Sequence, residues 1–377
     1  MLTYLRLQNF RSCIDTEWHL EPVTLLIGKN NAGKSNLCKA LRFLSACLSA
    51  DNIDDAARAA GLLPSEVAHR DTVGEPIRIQ VRWRAAVGGD EMLLRYHLVL
   101  QQQQPIRVAR DILTVVDEIL EPGELHPAVL NFLVRSRDNN GSVPSNRLSW
   151  PDDPLEPGPE DLATWRYYNL ANCDLRRHQQ AAYDTYLRDD GSNLASCLFA
   201  LKNEDSRNFD LLLDLVREVE PSLYTFNFIR PRPEELWLEV EDSNGGRYGL
   251  ESLSDGTLNY LAMCYIALQG QLTTHRDTPR PRLVVLEEPE NRLYVRHLRR
   301  LLEVIREGSK EQQTIITTHN PYLIDLFEDH LEEVRLVTRG QLGVGESTQV
   351  VTPDADVLRK RLQEFSLGEL HFRELLQ

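Results

Sequence analysis

Apolar and polar positions alternate along residues 2–10, LTYLRLQNF, which predicts a half-buried strand. Residues 23–31, VTLLIGKNN, form a short apolar run stopped by glycine and asparagine, the pattern of a buried strand leading into a helix over about residues 34–48. The stretch IRIQVRWRAAVGGDEMLLRYHLVLQ (77–101) predicts a hairpin turning at Gly88, Gly89 and Asp90, and IRVARDILTVV (106–116) adds a further strand. Periodicity is lost over residues 117–161, where prolines and glycines thicken into a long surface excursion.

Helical patterns return near Leu162, run through SNLASCLFALK (192–202) and end in FDLLLDLVREVEP (209–221), where Pro221 closes the last turn. LWLEVEDSNGGRYGLESL (236–253) predicts a second hairpin, turning at Asn244, Gly245 and Gly246. Strand and helix then alternate: helix 258–269, strand 283–286, helix 295–306, strand 314–318, helix 322–327 and strand 334–337. That order implies an α/β fold with a mostly parallel core sheet. The expected organisation is an N-terminal half (1–116) with antiparallel strands, an inserted, mainly helical lobe (117–235), and a C-terminal half (236–377).

Composition narrows the class. The 377 residues are 42% hydrophobic and 26% charged, ordinary values for a soluble globular protein. No apolar run approaches the roughly 20 residues needed to span a bilayer, and Arg6 and Arg11 interrupt the opening stretch, which therefore does not read as a signal peptide. The expected location is the cytoplasm, with no membrane partner. Six dispersed cysteines without a CxxC pair read as reduced thiols. A net charge of −15 argues against a DNA coat, yet leaves room for a local basic groove.

Two motifs carry chemistry on their own residues. GKNNAGKS (28–35) fits GxxxxGK[ST] between a strand and a helix. Its glycines let backbone N–H groups face a phosphate, Lys34 reaches the β- and γ-phosphates, and the Ser35 hydroxyl binds Mg²⁺. Gly28, Asn30, Asn31, Gly33, Lys34, Ser35 and Asn36 are the expected nucleotide contacts. LVVLEEPEN (283–291) is a buried-strand run that ends in acids. Such acids need a cation or a reaction: Glu287 is assigned to the metal and Glu288 to the attacking water as general base. SDGTLNYL (254–261) offers another helix N-terminus, readable as an ordinary N-cap or as an anion site. TTHNP (317–321) sets His319 at a strand end, where a structural role is equally open.

In order, these elements resemble the ATPase heads of the ABC/SMC/RecF superfamily, with NFRS (9–12) similar to the turn before their phosphate loop. Stand-alone bacterial ATPases with SDGTLxxL, EEPEN, TTHxP and SLGEL are more similar still. This chain has SDGTLNYL, EEPEN, TTHNP and FSLGEL (365–370), and DGSNLASCL (190–198) also resembles that group. The resemblance implies a P-loop NTPase of ABC/SMC/RecF type that takes ATP and Mg²⁺. It implies a homodimer or higher oligomer with ATP sandwiched between heads, Ser254 and Gly256 meeting the γ-phosphate in trans and His319 sensing it in cis. Glu288, Lys34 and His319 are the catalytic set it implies. Asn291 falls in the segment that meets the opposite subunit.

Departures are visible. Relatives often have ENGLHP where this chain has ENRLYV (290–295), and neither Gln80, Gln179 nor Gln180 stands out as a Q-loop glutamine. SDGT in place of LSGGQ, and TTHNP, turn the reading away from a transporter subunit. The expected function is an ATP-hydrolysing switch in DNA repair or anti-phage defence, controlling a separate effector such as a nuclease or toxin. The other reading is a nucleotide-gated scaffold with negligible hydrolysis. DNA contact would rest on RLYVRHLRR (292–300) and LRRH (175–178), which a solvated helix face also explains.

Overall fold

The computed structural model describes residues 1–50, 52–87, 90–102, 107–116, 135–136, 160–170, 175–176, 179–180, 184–233, 235–272, 281–343 and 345–376. The chain opens with strands β1 (Leu2–Phe10), β2 (Cys13–His19) and β3 (Val23–Ile27), then helices α1 (Lys34–Ser49) and α2 (Ile53–Ala59). Strands β4 (Ile77–Val87), β5 (Asp90–Gln101), β6 (Arg107–Val116) and β7 (Arg135–Ser136) follow. Short elements come next: α3 (Glu160–Ala163), β8 (Arg166–Tyr168) and β9 (Gln179–Gln180). They lead to α4 (Leu194–Glu204), α5 (Ser206–Arg217), β10 (Leu223–Ile229), β11 (Glu235–Asp242) and β12 (Arg247–Gly249). The last third comprises α6 (Asp255–Leu268), β13 (Leu283–Glu287), α7 (Val295–Gly308), β14 (Gln313–Thr318) and α8 (Pro321–Asp325). It continues through β15 (Val334–Leu342), β16 (Gly345–Val351), α9 (Ala355–Arg361) and α10 (Leu367–Phe372).

The core sheet has the order β16-β15-β3-β14-β13-β8. Its strands run parallel except β16, which returns antiparallel on β15. A second sheet, β2-β1-β4-β5-β6-β7, is antiparallel, and a small sheet is built on β10-β11-β12 with β9 beside β11. The fold is therefore α/β with a largely parallel core. β3 shows why: all five of its residues are buried, so both faces must be covered. Val23, Leu25 and Ile27 point into one hydrophobic cluster with α6 and α7. Leu26 points into the other, with α1 and the antiparallel sheet. β13 alternates in the same way, Val284 and Leu286 against Leu283 and Val285.

Where the sequence and the structure differ, tertiary pairing decides. The helical reading from Leu162 gives way after α3 to strand β8, because Arg166, Tyr167 and Tyr168 pair with Val284, Val285 and Leu286. Gln179 and Gln180, expected on a helix, form β9 against Leu236 and Glu235. Strand β2 pairs with β1 beyond the elements the pattern predicts, and β15 and β16 extend well past residue 337 as a hairpin. The first predicted hairpin is present as β4 and β5, although Gly88 and Gly89 of its turn lie outside the described residues. So does most of the 117–161 excursion. Among the described residues, no helix is long and apolar enough to cross a membrane.

Candidate functional site

Parallel strands β3, β13 and β14 end side by side, and the segments leaving them share one edge of the sheet, the usual place for ligands in open α/β sheets. The loop after β3 curls tightly. Gly33 has φ 114°, and a β-carbon there would stand 2.1 Å from Thr348 Oγ1. At Gly28 a β-carbon would stand 2.2 Å from the carbonyl oxygen of Val337. No other residue fits either place without moving β15 or β16. Asn31 also takes a left-handed conformation, φ 66°. Such a run of turned peptides before a helix directs N–H groups into a concave, anion-attracting nest.

Lys34, at the start of α1, is 8% exposed and donates to the Gly28 and Lys29 carbonyls at 2.6 and 3.2 Å. Burial lowers its pKa, opposed by Glu288 and Glu287 among its neighbours. Ser35 Oγ donates to Glu287 Oε1, joining the first turn of α1 to the end of β13. Glu287 Oε2 accepts from the Tyr167 hydroxyl and from Asn169 Nδ2, the latter at 2.8 Å. Burial pushes the Glu287 carboxyl pKa up, but the Ser35, Tyr167 and Asn169 bonds and the charge of Lys39 outweigh it, so the net shift is downward.

Glu288 sits in the left-handed region, φ 48°, held by its N–H on the Thr317 carbonyl at 2.9 Å. Strain of this kind concentrates where a side chain must be aimed. Its Oε1 lies 3.0 Å from His319 Nδ1, and its Oε2 accepts from Asn291 Nδ2 at 3.2 Å. Glu290, by contrast, does not reach the surface. It is 6% exposed, accepts from the Thr318 hydroxyl, and burial raises its pKa.

Lys34, Ser35, Glu287, Glu288 and His319 are thus gathered at one strand-end edge. Ser254 and Gly256 belong elsewhere: Ser254 Oγ caps α6, accepting from the Thr257 N–H at 3.0 Å. Asp255 is bound by Arg176 at 2.5 Å and approached by Arg292 at 3.7 Å. Among the described residues, no hydrogen bond or ion pair links 254–256 to the loop 28–36.

Two surroundings escaped sequence reasoning. The NFRS turn is tied to the start of α1, Arg11 Nε donating to Asn36 Oδ1 at 2.8 Å and Asn36 Nδ2 to Ser12 Oγ at 2.7 Å, while Thr348 Oγ1 of β16 donates to the Ala32 carbonyl at 3.0 Å. Beside it lies a groove of about 1460 Å³, lined by Arg11, Asn31, Asn36, His69 and Arg339 among others. On the other flank, Lys29 pairs with Glu374 at 2.6 Å, and His371, Glu374 and Leu376 close a cavity of about 290 Å³ against Gly28–Ala32.

The donor set suits a nucleotide and a magnesium ion. A hydroxyl and a carboxylate meet beside the turned loop, while no group of three or more His, Cys, Asp or Glu placed to hold a metal ion occurs among the described residues. Mg²⁺ takes few protein ligands and keeps phosphate oxygens and waters, so that pair is chemically sufficient.

Comparison with solved structures gives the same architecture. The SMC head bound to the C-winged helix domain of ScpA aligns with a TM-score of 0.52 and 13% identity, over 93% of this chain and 98% of that one. The SMC head with an extended coiled coil bound to the C-terminal domain of ScpA from Pyrococcus furiosus gives 0.50 and 14%, over 96% and 98%. Comparison with curated protein sequences finds no match. Residues 23–325 match the AAA_21 family, described as "AAA domain, putative AbiEii toxin, Type IV TA system". The chain belongs to this AAA family, and it carries the P-loop ATPase fold of SMC heads.

Proposed function

We propose that the chain is an ATP-hydrolysing head that pairs around ATP and acts as a switch for a separate effector. The observation that carries this reading is the junction of Ser35 with Glu287, next to Glu288 paired with His319. Lys34 and the loop N–H groups would hold the phosphates, and Ser35 and Glu287 would hold Mg²⁺, which would neutralise charge on the phosphates. Glu288 takes the proton of the attacking water, and His319 aligns Glu288 and senses the γ-phosphate. With Ser254 and Gly256 standing apart from the loop of their own chain, a second copy supplies them in trans.

The effector is expected to be a protein. Three of the basic residues that suggested a DNA surface are engaged by acids: Arg176 and Arg292 with Asp255, and Arg300 with Glu218 and Glu303. The family description points to a toxin–antitoxin or defence setting. Light scattering with MgATP tests the pairing. The Glu288→Gln chain should double in mass with MgATP and stay monomeric with MgADP; one mass under both conditions would reject the ATP sandwich.

A further inference from the structure

Glu287 poses a problem of reach. An aspartate would end one methylene sooner, and Mg²⁺ has strict octahedral demands. The longer arm is held by Tyr167 of β8 and by Asn169 just after it; β8 is an edge strand whose helical neighbours concealed it in the sequence. Register pairs Val285 with Tyr167 and Leu286 with Tyr168, so Asn169 follows alongside Glu287. Side chains two apart in a strand share a face. Tyr167 and Asn169 therefore address the face that carries Val285 and Glu287, the one against α1.

A carboxylate offers about four acceptor positions, two on each oxygen. Oε2 spends both on the Tyr167 hydroxyl and Asn169 Nδ2, while Oε1 spends one on Ser35. The remaining position lies on Oε1, beside the Ser35 hydroxyl. Tyr167 is itself braced. It is 9% exposed, and the Arg42 guanidinium lies 5.3 Å from its ring centre and pairs with Asp189 at 2.7 Å. Arg42 and Ser35 both belong to α1, so the contacts close a circuit from Arg42 through Tyr167 and Glu287 back to Ser35.

We propose that Tyr167, with Asn169, is a positioning residue of the metal site: it locks Oε2 of Glu287 and directs Oε1 at the divalent cation that accompanies the nucleotide. This rests on the nucleotide reading above. Outer contacts of this kind are worth 10–100-fold in metal affinity.

Mn²⁺ titration of the full chain saturated with ADP, read by electron paramagnetic resonance, tests it without turnover. Tyr167→Phe keeps the ring and should weaken Mn²⁺ binding about 10-fold, with metal-free ADP affinity unchanged. Glu287→Asp withdraws the carboxylate from the hydroxyl, so adding Tyr167→Phe to it should change Mn²⁺ affinity less than about twofold. Wild-type Mn²⁺ affinity in Tyr167→Phe, or an undiminished effect in the Glu287→Asp background, overturns the positioning role alone. A wild-type ADP complex that holds no Mn²⁺ overturns both this role and the nucleotide reading.

Discussion

Gly256 lies directly beneath the backbone of Arg292: a β-carbon at position 256 would stand 2.9 Å from the Arg292 carbonyl oxygen. The start of α6 and the turn after β13 are therefore one packed unit. Arg292 takes a left-handed conformation, φ 68°. That conformation costs an ordinary residue about 1–2 kcal/mol. Its ion pair with Asp255, 3.7 Å apart and exposed on both sides, returns little. Arg292→Gly should leave stability unchanged or raise it by up to about 1 kcal/mol, read as a melting temperature equal or slightly higher. A clear drop would show that the side chain holds the turn.

Gly368 explains the glycine of FSLGEL. A β-carbon there would stand 2.4 Å from the carbonyl oxygen of Pro321, at the start of α8. The N–H groups of Leu367 and Gly368 donate to Glu328 and Asp325, so α10 cannot slide away. Gly368→Ala should destabilise by about 1–3 kcal/mol and expose residues 366–376 to limited proteolysis. An unchanged denaturation midpoint would contradict this packing.

Acid should loosen the same segment through His371. Its pKa is lowered by burial, then by Lys34 and His319, with Glu374 acting the other way. A depressed pKa means the unfolded chain accepts the proton first as pH falls. The contribution is therefore complete above about pH 6.5 and is lost as pH falls through the folded-state value. His371→Gln should shrink the loss of thermal stability between about pH 7.5 and 5.5. An identical loss in both proteins would remove His371 from the account.

The Lys29–Glu374 pair is exposed, 68% and 61%, so it adds little stability. It does place an anion beside the phosphate loop. Glu374→Ala should keep the melting temperature and tighten ADP binding a few-fold, more at low salt. Unaltered affinity at low salt would mean that Glu374 does not compete for Lys29.

How much of this was legible in the sequence depends on the range of the forces involved. β3, α1, β13 and β14 announce themselves, because a buried strand is a continuous apolar run and the residues that stop it are glycine or acids. β8 does not: three residues carry no period, and their strand state comes from pairing with β13 more than a hundred residues later. Tyr167 and Asn169 were missed for that reason, and only their two-residue spacing hinted at a shared face. Glu290 stands in the same acidic run as Glu287 and Glu288, yet it is buried against the Thr318 hydroxyl, which nothing local in the sequence announces. Local patterns reveal which chain segments are buried, while the partner of a buried polar group is a matter of tertiary packing.

The central claim is that Glu288 activates water at a magnesium-bound ATP. Phosphate release from MgATP by wild type and by Glu288→Gln, with nucleotide binding measured on the same samples, tests it most directly. The expected result is steady release by wild type, loss of at least about 100-fold in the variant, and ATP binding retained by both. Equal release by the two proteins would contradict the claim and leave a nucleotide-gated scaffold in its place.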